Sequence, residues 1–338
     1  MSYAQTLTQL LERRDLTHVD MLELMHQIMG GQLTPAQIAG VLVALRVKGE
    51  TVTEIAAAAQ VMRELSTKVD VQDERHLIDT CGTGGDGAQT FNISTASAIV
   101  AAAAGAKVAK HGGRSVSSRC GSADILEKLG ANVNLTPEKV ARSVESIGVA
   151  FMFAPNHHSA MKYAAPVRKE LGVRTLFNLL GPLTNPAGAK NQVIGVFLRD
   201  LTAKLAHVLQ QLGSRHVLVV HGSDGMDEIS ISAPTFIAEL KDGRISEYTV
   251  TPEEFGLKSA PVNAIQVSDA DTAKRMLLSV LNNEPGAPRD IVLLNAGAAI
   301  YVAGLADTLA HGVRRAGEII ASGAAKDKLY QLIQASNS

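Results

Sequence analysis

The sequence contains no tryptophan, and only two of its 338 residues are cysteines, Cys81 and Cys120. Two cysteines are too few for a disulfide framework and lack the spacing of a zinc site, so we expect a reducing, cytoplasmic environment. The formal net charge is −1, which excludes the overall positive field that would draw a protein to nucleic acid or to a membrane surface.

Long apolar runs are also missing. The most apolar stretch, residues 96–104, is too short to span a bilayer, and the N-terminal residues lack the basic start and apolar core of a signal peptide. The composition, 46% hydrophobic and 19% charged, is that of an ordinary globular protein, long enough for one large domain or two. We therefore expect a soluble protein whose partners are neither membranes nor nucleic acids.

The first seventy residues show helical patterns only. Three helix starts are predicted, each with a capping residue and a reciprocal side chain three positions later: Thr17 with Asp20, Thr34 with Gln37, and Thr51 with Glu54. Gly30-Gly31 and Gly49 are predicted stops. No convincing strand precedes His76, so the sequence predicts a small helical unit.

Strands and helices then alternate, which predicts an α/β fold with a mostly parallel central sheet. Helices are expected over residues 92–104, at 122–129 with Ser122 as the cap and Gly130 as the stop, and from Thr136-Pro137 to Gly148. The predicted strands are residues 77–81, 107–110, 149–153, 193–198, 216–220 and 291–294.

Two segments interrupt the alternation. Residues 157–186 contain helical patterns followed by a turn-rich run in which Pro182 and Pro186 exclude a continuous helix. This segment is expected to pack with the N-terminal helices. Residues 229–250 alternate polar and apolar side chains around Asp242-Gly243, which predicts an antiparallel excursion at the sheet edge.

A glycine-rich loop, GTGGD at residues 82–86, follows the first predicted strand. Its spacing matches a dinucleotide fingerprint, but no Asp or Glu occurs between Gly87 and Ala123, so the acid that would bind the ribose hydroxyl is missing. A Walker A lysine is also absent. The glycines expose backbone N–H groups, and Thr90, Ser94 and Thr95 add hydroxyls near a helix start, so the loop is predicted to bind a diphosphate.

Two further segments support this interpretation. A basic Gly/Ser-rich run at residues 110–118 follows the next strand, at the carboxyl edge where ligands bind in open α/β sheets. Asp227 and Glu228 form an acidic loop after a later strand. Each segment alone is typical of a solvated turn. Together with the glycine loop, they predict a Mg²⁺ ion that neutralises a departing pyrophosphate.

Four segments, in chain order, resemble the anthranilate phosphoribosyltransferases of tryptophan biosynthesis: DTCGTGGDGAQTFNISTASA (79–98), KHGGRSVSSRCGSADILEKLG (110–130), VRTLFNLLGPLTNP (173–186) and GMDEIS (225–230). The resemblance implies Mg²⁺-dependent transfer of a phosphoribosyl group from 5-phosphoribosyl 1-diphosphate to anthranilate. It also implies a homodimer, in which each chain has a small helical domain (1–70 with about 165–190) and an α/β domain (71–164 with 191–338).

The resemblance carries site residues over by motif match, with no catalytic acid or base among them. The donor-binding residues implied are Gly82, Gly85, Asp86, Thr90, Asn92, Ile93, Ser94, Thr95, Lys110, His111, Gly112, Gly113, Arg114, Ser115, Val116, Ser117, Ser118 and Ser122. The residues implied at the anthranilate site are Gly82, His111, Gly113, His158, Arg168 and Pro182. The metal ligands implied are Ser94, Asp227 and Glu228. Without the resemblance, Arg168 and His158 would be interpreted as helix-surface residues.

One position departs from the family pattern. Gly113 stands where the motif normally has Asn, whose amide contacts anthranilate in the family, so a weaker acceptor contact is expected here. Three other functions share parts of the pattern: a pyrimidine-nucleoside-phosphorylase-like enzyme, a non-catalytic nucleic-acid-binding relative, and a Rossmann-type dehydrogenase. The GTGGD loop disfavours the first, the net charge and the acidic pair the second, and the missing acid the third.

Overall fold

The computed structural model describes residues 2–114 and 120–338. Four helices come first, and the starts of the last three follow the predicted caps, while Ser2 caps the first. Thr17 accepts a hydrogen bond from the Asp20 amide, while Thr34 and Thr51 form capping boxes with their partners. Gly30 and Gly49 end the second and third helices, as predicted. These helices are α1 Tyr3–Leu11, α2 His18–Met29, α3 Pro35–Lys48 and α4 Val52–Glu64.

A seven-stranded sheet follows, in the order β3-β2-β1-β4-β5-β6-β7. The first five strands are parallel, and the last two form the antiparallel hairpin predicted at the edge, with its turn at Asp242-Gly243. From β1 the chain adds β2 and β3 on one side of the sheet and β4 onwards on the other. Ligands in open α/β sheets bind at such a change of side, which here lies between β1 and β4. The strands are β1 Leu77–Asp79, β2 Lys107–Gly112, β3 Val149–Phe153, β4 Asn191–Gly195, β5 His216–Gly222, β6 Thr235–Lys241 and β7 Arg244–Val250.

The remaining helices cover the sheet, and short 3-10 turns lie at Ser159–Tyr163, Gly181–Leu183, Pro252–Phe255 and Val262–Ala264. No helix among the described residues is long and apolar enough to cross a membrane. These helices are α5 Ile93–Ala103, α6 Ser122–Leu129, α7 Pro137–Ile147, α8 Ala154–His157, α9 Ala165–Leu171, α10 Phe177–Leu180, α11 Leu201–Gln211, α12 Ala270–Leu281, α13 Ala287–Val302, α14 Leu309–Ala321 and α15 Ala324–Asn337.

The strand predicted at residues 291–294 is wrong, because this run lies inside α13. Every residue from Ile291 to Val302 is buried in the core of the sheet domain, so the helix has no polar face to reveal its period. A short apolar run cannot be assigned by periodicity alone. The start of α6 also differs: Gly121, not Ser122, is the capping position, and its amide donates to the Asp124 carboxylate at 2.9 Å.

The segment after β3 packs against the N-terminal helices. Val167 of α9 and Phe177 of α10 share a hydrophobic core with α2, α3 and α4, and this core continues onto one face of the sheet through Ile194 and Val219. A 3-10 turn replaces helix at Pro182, as the prolines predicted. The packing places this segment beside the carboxyl edge of β1 and β2.

Candidate active site

The glycine loop leaves β1 and passes over the carboxyl end of β4. Gly84 and Gly85 have φ of +66° and +82°, a conformation that side chains with a Cβ rarely adopt. The Thr83 amide donates to the Gly195 carbonyl at 2.8 Å, which fixes the loop to the neighbouring strand. The loop backbone is therefore exposed and anchored, as a phosphate-binding turn requires.

Helix α5 begins beside this loop. Asn92 precedes its first residue, Ile93, and the Asn92 side-chain amide donates to the Cys120 carbonyl at 2.9 Å, so the helix start is tied to the second loop. The Thr95 hydroxyl is buried and has no hydrogen-bond partner among the described residues. Thr90 pairs with Gln266 in an isolated bridge at the far end of the loop. A helix N-terminus in this position is suited to an anion.

Lys110 lies beneath the loop. Its side chain is buried, and Nζ donates to the Thr80 carbonyl at 2.8 Å and to the Ser94 hydroxyl at 3.2 Å. The ammonium group therefore links the end of β1 to the start of α5. The predicted contact of Lys110 with the phosphoribosyl donor stays a prediction.

Three carboxylates, those of Asp86, Asp227 and Glu228, lie beside the loop within electrostatic range of one another. The Asp227 amide faces Asp86 Oδ2 at 3.4 Å, and a Cβ on Gly82 would lie 3.3 Å from Asp227 Oδ2. Desolvation, followed by the charge of Asp86, raises the pKa of Asp227 to about 7. Desolvation and the charge of Asp227 also raise the pKa of Glu228 well above its usual range. The three groups repel one another, so a cation placed between them would be stabilised.

Two of the three predicted metal ligands, Glu228 and Ser94, line the same small cavity, and the third, Asp227, precedes Glu228 in the chain. Within residues 2–114 and 120–338, no three His, Cys, Asp or Glu side chains are grouped closely enough to hold a metal by themselves. A hard cation such as Mg²⁺ accepts few protein ligands and keeps waters or phosphate oxygens. The residues present fit that mode of binding.

Two histidines, His111 on β2 and His158 after α8, lie side by side. His111 Nδ1 lies 3.2 Å from the Gly181 carbonyl, and its ring meets the His158 ring edge-on at 5.1 Å between centroids. Burial lowers the pKa of His111 to about 3 and that of His158 to about 4. The Nε2 atoms of both rings are buried without a hydrogen-bond partner in the described part of the chain. Both imidazoles are thus held neutral, each with one ring nitrogen unpaired among the described residues.

Arg168 and Pro182, the other two predicted acceptor-site residues, lie in the segment after β3. Arg168 on α9 is partly buried, its guanidinium is 5.5 Å from the centre of the Phe177 ring, and burial lowers its pKa. It is not a freely solvated helix charge. Pro182 is buried, and its carbonyl accepts a hydrogen bond from Gln192 Nε2 at 2.8 Å.

The second loop is described only at its ends. Gly112 closes β2, and a Cβ there would lie 2.9 Å from the Phe151 ring, whereas a Cβ on Gly113 would have nothing within 4 Å. Arg114 forms ion pairs with Asp124 at 3.0 Å and Glu127 at 2.6 Å, so its guanidinium is directed toward α6. The predicted donor residues Ser115, Val116, Ser117 and Ser118 lie outside the described residues. Ser122 is the first residue of α6.

Comparison with known proteins identifies the family. A glycosyl transferase family a/b domain matches residues 74–326, and a glycosyl transferase family helical bundle domain matches residues 4–66. The anthranilate phosphoribosyltransferase of Thiobacillus denitrificans is 65% identical over 97% of this chain and 96% of its own. The enzyme of Nitrosomonas eutropha is 62% identical over 98% of this chain and 97% of its own. This chain belongs to the anthranilate phosphoribosyltransferase family.

Solved structures of the family agree with this assignment. The crystal structure of anthranilate phosphoribosyltransferase from Thermus thermophilus superposes with a TM-score of 0.93 at 43% identity, covering 98% of this chain and 99% of that chain. The Saccharomyces cerevisiae enzyme in complex with PRPP and Mg has a TM-score of 0.88 at 27% identity, covering 99% and 98% of the two chains. The family fold therefore extends over nearly the whole chain.

Three residues that were not among the predicted site residues support the site. Arg174 donates from Nη2 to the Gly85 carbonyl, and its guanidinium lies 4.1 Å from the centre of the Phe197 ring. Gly195 lies against the Asp227 backbone. Asn295 binds the Ile229 backbone. All three act across long sequence separations, which short motifs do not reveal.

Proposed function

We propose that this chain catalyses Mg²⁺-dependent transfer of the phosphoribosyl group from 5-phosphoribosyl 1-diphosphate to anthranilate. The products are N-(5-phosphoribosyl)anthranilate and pyrophosphate, in tryptophan biosynthesis. One observation carries the proposal: Asp227 Oδ2 lies beside Gly82 of the glycine loop, and Glu228 lines a small cavity together with Gly82 and Ser94.

The donor side is supported by the anchored glycine loop and the start of α5. Exposed amides of the loop and the hydroxyls of Ser94 and Thr95 are suited to the diphosphate oxygens. When bound, Mg²⁺ supplies positive charge that stabilises the pyrophosphate as it departs. Asp227, Glu228 and Ser94 would hold the ion, whose positive charge would stabilise the ionised form of two carboxyl groups whose pKa values burial and mutual repulsion raise.

The acceptor side is supported by the two neutral histidines and Arg168. The guanidinium is suited to the anthranilate carboxylate, while the Nε2 atoms of His111 and His158 are available to its polar groups. An aryl amine already carries a lone pair, so no general base has to act before attack. The amine nitrogen forms a bond to ribose C1 as the C1–O bond to pyrophosphate breaks, and the amine then loses a proton. Orientation and charge stabilisation provide the catalysis.

The organisation proposed for the whole protein follows the family. Residues 1–70 with about 165–190 form the small domain, and residues 71–164 with 191–338 form the α/β domain. The shared core of α2–α4 with Val167 and Phe177 supports grouping this segment with the N-terminal helices. The functional unit is proposed to be a cytoplasmic homodimer.

A fluorescence assay tests the reaction class. Anthranilate fluorescence should fall only when protein, 5-phosphoribosyl 1-diphosphate and Mg²⁺ are all present, and each omission should abolish the change. A parallel reaction with uridine and phosphate, but without donor, should give no uracil. Phosphorolysis of uridine in place of anthranilate consumption would contradict the proposal and favour a nucleoside phosphorylase.

A further inference from the structure

Asn295 is a buried amide in the middle of α13, where all neighbouring positions from Ile291 to Val302 are buried as well. Its Oδ1 accepts a hydrogen bond from the Ile229 amide at 2.9 Å. Its Nδ2 donates to the Ile229 carbonyl at 2.9 Å and to the Ile291 carbonyl at 2.9 Å. A single side chain therefore pairs with both backbone groups of one loop residue.

The residue held in this way is next to the acidic pair. Ile229 directly follows Asp227 and Glu228 and is itself buried. Asn295 and Glu228 also line the same small cavity as Ser94. Backbone groups buried in a loop cost free energy when they lack partners, so an amide at this place fixes the loop where a hydrophobic side chain could not.

The support behind Asn295 is rigid. A Cβ on Gly297, two residues further along α13, would lie 2.5 Å from the Val313 nitrogen. A Cβ on Gly312 would lie 2.2 Å from the Gly297 carbonyl oxygen, so α13 and α14 are in backbone contact. On the other side of the acidic loop, Gly195 lies against the Asp227 carbonyl. The loop is thus held between a strand end and a fixed helix.

We infer that Asn295 is a positioning residue that holds the Asp227-Glu228 loop in the geometry needed for the Mg²⁺–diphosphate complex. The inference rests on the proposed function and extends it to a residue whose side chain binds the backbone of the acidic loop. Groups that orient metal ligands typically change metal affinity by roughly 10- to 100-fold when they are replaced. The same range is expected here.

Calorimetry with Mg²⁺ and pyrophosphate tests the inference without turnover. Asn295→Leu, close to Asn in shape, leaves both Ile229 backbone groups unpaired. Asn295→Asp keeps the acceptor and loses the donor. Both variants should bind pyrophosphate at least 10-fold more weakly in the presence of Mg²⁺, while binding without Mg²⁺ stays unchanged. Tyr301→Phe is the matched control on the same helix, since it removes a hydrogen bond to Glu239 instead, and it should bind as the wild type does.

Amide hydrogen exchange provides a second readout that needs no variant. In the wild type, the Ile229 amide should be protected as strongly as amides within α13, although it lies in a loop. Rapid exchange of this amide would overturn the inference, and so would folded Asn295 variants that bind Mg²⁺ and pyrophosphate like the wild type. If the wild type and Tyr301→Phe themselves show no Mg²⁺-dependent binding, the proposed function fails, and the inference fails with it.

Discussion

The Cα of Gly195 at the end of β4 lies so close to Asp227 that a Cβ there would be 1.5 Å from the Asp227 carbonyl oxygen. Gly195→Ala must therefore displace the acidic loop. We expect turnover at fixed Mg²⁺ to fall at least 10-fold and the melting temperature to fall as well. Gly317→Ala in α14 is the control, because its Cβ meets only a Leu293 methyl at 3.8 Å. Retained activity in Gly195→Ala would show that the loop position is unimportant.

Removing the acidic pair should remove turnover without unfolding the protein. Asp227→Ala combined with Glu228→Ala is expected to lose most of kcat at both limiting and saturating Mg²⁺. The raised carboxyl pKa values mean that ionisation at pH 8 disfavours the folded state, so the melting temperature without Mg²⁺ should stay the same or rise. Steady-state kinetics and thermal unfolding measure both effects, with exposed Glu247→Ala as the control. Wild-type kcat at limiting Mg²⁺ would contradict the metal assignment.

Restoring the amide that the family motif carries should strengthen acceptor binding. A side chain at Gly113 has free space, and the Gly113 carbonyl is already held by the Ala123 amide at 3.1 Å. Gly113→Asn is expected to lower the KM for anthranilate about fivefold, the equivalent of about 1 kcal/mol for one hydrogen bond. Gly113→Ala separates this contact from backbone stiffening. Equal KM values for Asn and Ala variants would assign the effect to the backbone alone.

The buried histidines predict how stability depends on pH. Burial, with the charges of His157 and Lys68, lowers the pKa of His158 from 6.5 to about 4. Below pH 6.5 the His158 imidazole is protonated in the unfolded chain but stays neutral in the folded chain. The free energy of unfolding therefore decreases as the pH falls from 6.5 towards 4. When the pH is lowered from about 7.5 to about 5, the free energy of unfolding of both proteins should fall. The fall should be about 2 kcal/mol smaller for His158→Gln than for the wild type.

Urea unfolding at the two pH values measures that difference. His18→Gln, at an exposed helix start, is the matched control and should lose as much as the wild type. An identical loss in His158→Gln and in the wild type would show that this imidazole is protonated as readily in the folded chain as in the unfolded one.

Arg174 should affect the donor more than the acceptor, because it contacts the glycine loop from the segment that follows α9. Arg174→Ala removes the hydrogen bond to the Gly85 carbonyl and the stacking on Phe197. The KM for 5-phosphoribosyl 1-diphosphate should rise about 10-fold, with kcat changed less than about threefold, and Arg174→Lys should be intermediate. Steady-state kinetics with each substrate varied in turn separates the two sites. A rise confined to the anthranilate KM would contradict this role.

Local sequence signals predicted much of the fold and part of the site. Thr34 and Thr51 as caps, and Gly49 as a stop, depend on backbone rules that act within four residues, and the structure confirms them. Helix α13 was predicted as a strand at residues 291–294 because a helix buried on all sides loses its periodic signature. The roles of Gly195 and Asn295 arise from contacts with a loop distant in sequence, and no local pattern encodes such contacts.

Product analysis with all three components tests the central claim most directly. Protein, anthranilate, 5-phosphoribosyl 1-diphosphate and Mg²⁺ should yield one conjugate with the mass of a phosphoribosyl group joined to anthranilate. Pyrophosphate should appear in a 1:1 ratio to the anthranilate consumed. Pyrophosphate release that does not require anthranilate, or anthranilate recovered unchanged at full donor consumption, would contradict the account.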